Sequence, residues 1–395
     1  MFCAISAEHK LNMTCDIFCR VIDNFGDVGV TWRLARQLGN EFEITTRLFV
    51  DDLVSLAVLV PALDPLQSSQ IVERVEVRGW PGDHLASTST SSLTPADCVI
   101  EAFQCALPPQ YVNAMTLRRV APVWINLDYL SAESWVIAHH LLPSPHPQLA
   151  LNKYFFFPGF EPGTGGLLRE RDLFLKRDAA LLTNPRRHSN ELRVLIFGYA
   201  NAALPELLNA IERMCVKTVK TFVTIPHSQL GGAATVWHDA KKLASADNLR
   251  INIQPFVSQS EFDLLLWSQD VCFVRGEDSF VRAQWGAKPF VWQIYPTSDG
   301  AHLRKLNAFL DRYCIGLQIE VAAAVRELWR AWNVEDGLAM SPAWLEFMRH
   351  RTVLNSHARA WADQLAKQPD LATNLVTFVA KSANIEGFTR KSVDK

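Results

Sequence analysis

A chain of 395 residues with 49% hydrophobic and 20% charged residues is too long for one ordinary core and too apolar for disorder, which predicts a globular protein of two domains. A formal net charge of −2 gives no electrostatic case for a general nucleic-acid binder, and no apolar run reaches the length of a membrane span. The eight cysteines lie mostly in apolar runs, without a Cys-x-x-Cys pair or zinc spacing, which fits free thiols in a reducing cytoplasm.

The first residues lack a basic leader and apolar core, so no secretory signal is expected and 1–12 read as a loose extension before Met13. Cys15 to Ile22 alternates and predicts a first strand. Asp23-Asn-Phe-Gly-Asp-Val-Gly29 is a turn, and Val30 to Leu38 has helical spacing. This is an opening βα unit of Rossmann type without the dinucleotide fingerprint, because glycines fall only at 26 and 29. Two carboxylates in the loop would repel a pyrophosphate and better suit a cation or base chemistry. A turn with an Asx cap on the following helix is the plain alternative.

Strands are predicted at 44–50, 72–77, 97–103 and 123–127, with helices at 52–59 and near Trp135. From Pro143 to about Pro185 the richness in Pro, Gly and aromatics reads as irregular structure. The polar stretch 184–190 is the candidate interdomain linker. A second alternating series follows, with strands at 192–197, 221–225 and 249–253 and helices at 204–215 and 261–267. The apolar run Asp270 to Val274 predicts a buried strand that breaks at Arg275-Gly276, and Asp278-Ser279 offers a cap for a helix starting at Phe280. Free N–H groups at such a helix start suit a phosphate, and Arg275 and Arg282 are spaced to add charge-assisted bonds to it. An ordinary βα turn with internally satisfied Arg–carboxylate pairs is the alternative. Five helices are expected between 302 and 381. Two successive series imply two doubly wound α/β domains facing across a cleft, with ligands at the carboxyl ends of the strands.

Taken together, Asp23 to Val30, Arg275 to Gln284 and Lys288 to Pro296 resemble the EarP family, bacterial protein-arginine rhamnosyltransferases that modify elongation factor P. Ile100-Glu-Ala-Phe103, Asn126 to Glu133, Phe197-Gly-Tyr199 and Gln254-Pro-Phe256 agree with it in order. The resemblance implies a GT-B glycosyltransferase, with an acceptor domain at 13–183, a nucleotide-sugar domain at 184–356 and helices from 357 to 395 packing back toward the first domain. It implies inverting transfer of L-rhamnose from TDP-β-L-rhamnose to an arginine of elongation factor P, activating that factor to rescue stalled translation. Asp27 would be the base and Asp23 its neighbour. Phe256 would stack on thymine and Gln254 hold its edge, while Asp278 and Ser279 would hold the diphosphate, largely through backbone N–H groups. Arg275, Glu277, Tyr199 and Tyr295 would line the nucleotide or sugar. No cofactor or metal is expected, because a helix N-terminus with Arg275 can stabilise the leaving diphosphate, and no nucleic-acid or membrane partner is expected. A GT-B enzyme with another donor or acceptor, or a non-catalytic protein of the same fold, is the alternative. A nicotinamide oxidoreductase is disfavoured by the missing glycine loop.

Overall fold

The computed structural model describes residues 13–23, 25–80, 93–183, 190–215, 219–241 and 248–383. Residues 184–189 of the candidate linker, the extension 1–12 and most of the Ser/Thr-rich loop at 87–94 lie outside them.

The first domain is built on β1 (Thr14–Cys19), β2 (Thr45–Val50), β3 (Ser69–Val72), β4 (Val75–Gly79), β5 (Cys98–Ala102), β6 (Val123–Leu127), β7 (Pro143–Pro145) and β8 (Asn152–Phe156). These form one sheet in the order β3-β4-β2-β1-β5-β6-β8-β7, parallel except for the outer pairs β3–β4 and β7–β8. The order reverses at β1–β5, the point where a doubly wound sheet opens a crevice. β1, β5 and β6 are buried along almost their whole length, as expected of strands covered by helices on both faces. Asp16 is a charged exception within β1. Its carboxylate takes two bonds from the Arg47 fork, at 2.5 and 2.6 Å, and others from Tyr111 and the Ala96 N–H, which satisfies the buried charge.

The second domain carries β9 (Glu191–Ile196), β10 (Lys220–Pro226), β11 (Leu249–Gln254), β12 (Val271–Arg275) and β13 (Phe290–Gln293), all parallel, in the order β11-β10-β9-β12-β13. Its reversal falls at β9–β12. The core is unusually aromatic: Phe273, Phe280, Phe290, Phe309, Tyr313, Trp329, Trp332 and Trp344 are all nearly or fully buried and pack on one another. Most of the tryptophans are thus structural.

Three elements depart from expectation. The stretch 143–185 is not irregular throughout, because it supplies β7, β8 and the helix Leu173–Thr183. The aromatics Tyr154 to Phe156 are strand residues whose partner β6 lies in the neighbouring βα unit. The helix Gln229–Ala240 carries Gly231 and Gly232, which hide it from propensity, yet Ser228 caps it and Leu230, Ala234 and Trp237 bury one face. A domain boundary at 357 falls inside the helix Arg351–Ala366, whose Leu354, Trp361 and Leu365 belong to the second domain's core. The return occurs at residues 367–370, after which the helix Leu371–Ser382 buries Leu371, Leu375, Val376 and Val379 among first-domain residues.

Candidate active site at the domain cleft

Both sheets point their carboxyl edges at one cleft. The loop after β1 brings Asp23 and Asp27, and the turn after β12 brings Arg275 to Ser279. They meet around a cavity of about 330 Å³ lined by Asp23, Asp27, Tyr129, Glu277, Tyr295 and Lys305, among others.

Asp27 sits in the first turn of the helix Gly26–Phe42 and is almost fully buried. Its Oδ2 accepts the backbone N–H groups of Ile22 and Asp23, both at 2.9 Å. The carboxylate therefore ties down its own loop and faces the cavity at once. Burial raises its pKa above the ordinary carboxyl range, against the pull of those two N–H groups. The same cause raises Asp23, opposed by a hydrogen bond from Tyr199 and the charge of Arg275. The Tyr199 hydroxyl donates to Asp23 Oδ2 at 2.5 Å, so the aspartate of one domain is gripped by the tyrosine of the other.

Glycine makes that approach possible. Gly276 has φ +60°, and a Cβ there would stand 2.8 Å from Asp23 Oδ2 and 3.2 Å from the Tyr199 hydroxyl. A Cβ at Gly26 would come to 2.5 Å from the same carboxylate oxygen.

The Arg275 guanidinium lies over the rings of Phe197 and Tyr199, at 4.8 and 4.7 Å, and Tyr199 packs edge-on against Tyr295. Arg275, Phe256, Asp278 and Ser279 line a second, tighter cavity of about 40 Å³. Phe256 touches Phe25 of the first domain, with ring centroids 4.6 Å apart, and Phe197, at 5.8 Å. That space is too small for a nucleotide.

Ser279 spends its hydroxyl on Arg275, donating to the carbonyl and accepting the N–H, which fixes the turn. No side chain caps the helix Asp278–Trp285, and the N–H groups of its first turn have no partner within the helix, which leaves them available as donors at the cleft. The Asp278 carboxylate is engaged elsewhere, accepting from Arg33 Nε at 2.6 Å and Gln259 Nε2 at 3.0 Å.

One expectation fails here, and one expected ligand residue stands outside both cavities. Arg282 does not face the anion site. It is buried, and its fork bonds Asp263 at 3.0 and 2.6 Å while Nη1 bonds Glu170 at 2.5 Å. One helical turn carries it from the N-terminus to the domain seam. Gln254 ends β11 without lining either cavity, and its carbonyl accepts from the His227 N–H. Residues to which sequence reasoning gave no site role include Lys305, and Tyr129 and Phe103, which it placed only within family motifs. Lys305 lies over Tyr129, and Phe103 stacks on Tyr129 at 4.6 Å from a left-handed backbone conformation.

Glu277 accepts the Leu130 N–H from the other domain at 2.9 Å. Burial pushes its carboxyl from 4.5 up to about 8, with Lys305 opposing the rise. Below pH 4.5 the group is protonated in folded and unfolded chains alike. Between pH 4.5 and about 8 the folded state resists the ionisation that the unfolded chain undergoes, so stability falls as pH rises through that window. The Tm of the unaltered protein should therefore decline relative to that of Glu277→Gln across this range. A constant gap between the two thermal-melt curves would contradict the assignment.

Among the described residues no group of three or more His, Cys, Asp or Glu side chains is placed to hold a metal ion, and no helix is long and apolar enough to cross a membrane.

The family description "Elongation-Factor P (EF-P) rhamnosyltransferase EarP" matches residues 15–380. A protein-arginine rhamnosyltransferase of Pseudomonas putida is 42% identical over 94% of this chain and all of its own length. One of Neisseria meningitidis is 36% identical over 94% of this chain and 98% of its own. The structure described as the basis for EarP-mediated arginine glycosylation of translation elongation factor EF-P superposes with TM-score 0.61 at 32% identity, over 94% of this chain and 99% of that one. A ugt transferase from Siraitia grosvenorii in complex with UDP shares only the fold, with TM-score 0.53 at 10% identity over 94% of this chain and 99% of its own. With two Rossmann-like domains closing on one carboxylate-lined cleft and a family match along nearly its whole length, this chain belongs to the EarP family of elongation-factor-P rhamnosyltransferases, on a GT-B glycosyltransferase fold.

Proposed function

We propose that the protein transfers L-rhamnose from TDP-β-L-rhamnose to an arginine side chain of elongation factor P in the cytoplasm, with inversion and without a metal. The observation that carries this reading is the juxtaposition at the cleft. Asp27 faces a cavity large enough for a sugar, and the open N-terminus of the helix Asp278–Trp285 adjoins it with Arg275. The names of the relatives supply the acceptor class and the sugar.

A guanidinium is a poor nucleophile because its pKa exceeds about 12 and its lone pair is delocalised. Asp23 and Asp27 attract the cation and orient one nitrogen toward the anomeric carbon. The C–N bond forms on the face opposite the leaving group, and the C–O bond breaks with its electron pair going to the diphosphate. The proton lost by nitrogen passes to Asp27 as the bond forms, since a carboxylate cannot deprotonate a free guanidinium to any extent. First-turn N–H groups and Arg275 receive the charge that grows on the diphosphate.

Intact-mass spectrometry of elongation factor P after incubation with the protein, TDP-β-L-rhamnose and EDTA is the test. One added deoxyhexose, localised to an arginine, is the expected result. No gain despite tight TDP binding would refute the acceptor, and a gain only after metal is restored would refute the metal-free mechanism.

A further inference from the structure

Asp278 poses an electrostatic problem. It opens the helix whose N-terminus faces the tight cavity, and it lines that cavity itself, so an uncompensated carboxylate there would repel any diphosphate. Compensation comes from the other domain. Arg33 lies on the helix Gly26–Phe42, the same helix that carries Asp27, and is 1% exposed. Its Nε bonds Asp278 at 2.6 Å, while Nη1 and Nη2 grip both oxygens of Asp263 at 3.1 and 3.0 Å. Gln259 adds a second tie, donating from Nε2 both to Asp278 Oδ2 and to the Gly29 carbonyl, each at 3.0 Å. The first residue of the anion-binding helix is thus fastened to the helix that holds the base.

We infer that Arg33 is a positioning residue for donor binding: its charge offsets that of Asp278 at the wall of the tight cavity, so that the site accepts a nucleoside diphosphate across the domain seam. The inference rests on the proposed donor reading and adds a residue that touches no substrate. The planar fork matters to Asp263, whereas the positive charge matters to the ligand.

Calorimetric titration with TDP and with thymidine separates these roles, since only TDP carries the anion. Arg33→Gln should weaken TDP about tenfold or more while leaving thymidine within about threefold. Adding Asp278→Asn to that variant removes the exposed charge and should restore TDP affinity to within about threefold. Equal weakening of both ligands would mark a merely structural role and overturn the inference, as would unchanged TDP affinity or failure of the double variant to recover. Should Arg33→Gln not fold, Arg33→Lys keeps the charge and should hold TDP affinity within about threefold, and a tenfold loss there overturns the inference. An unaltered protein that binds no TDP would instead refute the donor reading itself.

Discussion

Replacing Asp27 with Asn is expected to slow transfer by about 10³-fold while leaving TDP affinity within about threefold. The amide is nearly isosteric, and its carbonyl oxygen can still accept the Ile22 and Asp23 N–H groups that now bond Oδ2. The loop therefore keeps its shape, and what disappears is the ability to take a proton from the guanidinium. Single-turnover transfer measured beside calorimetric TDP binding separates the two. A loss under tenfold would remove Asp27 from the role of base, and parallel loss of TDP binding would assign it to the scaffold. The raised pKa of Asp27 adds a pH signature: the rate in the unaltered protein falls on acidification at a pH above the usual carboxylate range, because only the ionised form accepts the proton.

The largest effect on stability is expected at Asp263, a single buried carboxylate that holds two arginines, Arg33 of the first domain and Arg282 of the second. Asp263→Ala leaves two guanidinium groups facing each other with Glu170 and Asp278 as their remaining partners. Removing one member of a buried ion network costs about 3–5 kcal/mol, here because four guanidinium N–H groups lose their acceptor where water cannot replace it. Urea denaturation should show that loss, with little dependence on salt since the group is screened from solvent. Asp263→Asn, which keeps an acceptor, should lose less. A cost below about 1 kcal/mol for the alanine variant would mean that water reaches the seam freely.

The sequence pattern carries the two βα series and the two loops that meet at the cleft, because both are local: an apolar run, a break and a helix start lie within a dozen residues. Resemblance then assigns Asp27, Asp23 and the Arg275–Ser279 turn, all of which the structure brings together. The seam is another matter. Arg33 reads as one polar position in an amphipathic helix, and its partners Asp263 and Asp278 lie 230 and 245 residues away. No periodicity links them. Arg282 shows the same limit from the other side: proximity in sequence to Arg275 suggested a shared anion, but one turn of helix rotates it to Asp263. Gln254 ends β11, two residues before Phe256 reaches the tight cavity. β8 was hidden by its setting among prolines and glycines, since strand character there depends on β6 alongside it.

The return of the helix Leu371–Ser382 to the first domain has a consequence for how the protein comes into being. Synthesis proceeds from the N-terminus at about 5–20 residues per second, so the first domain emerges complete in sequence on the order of 10 s before the helix that seals its apolar face. During that interval the surface destined for Leu371, Leu375, Val376 and Val379 stands uncovered on a nascent chain. The first domain is therefore last to be finished, and its final locking awaits the synthesis of the second.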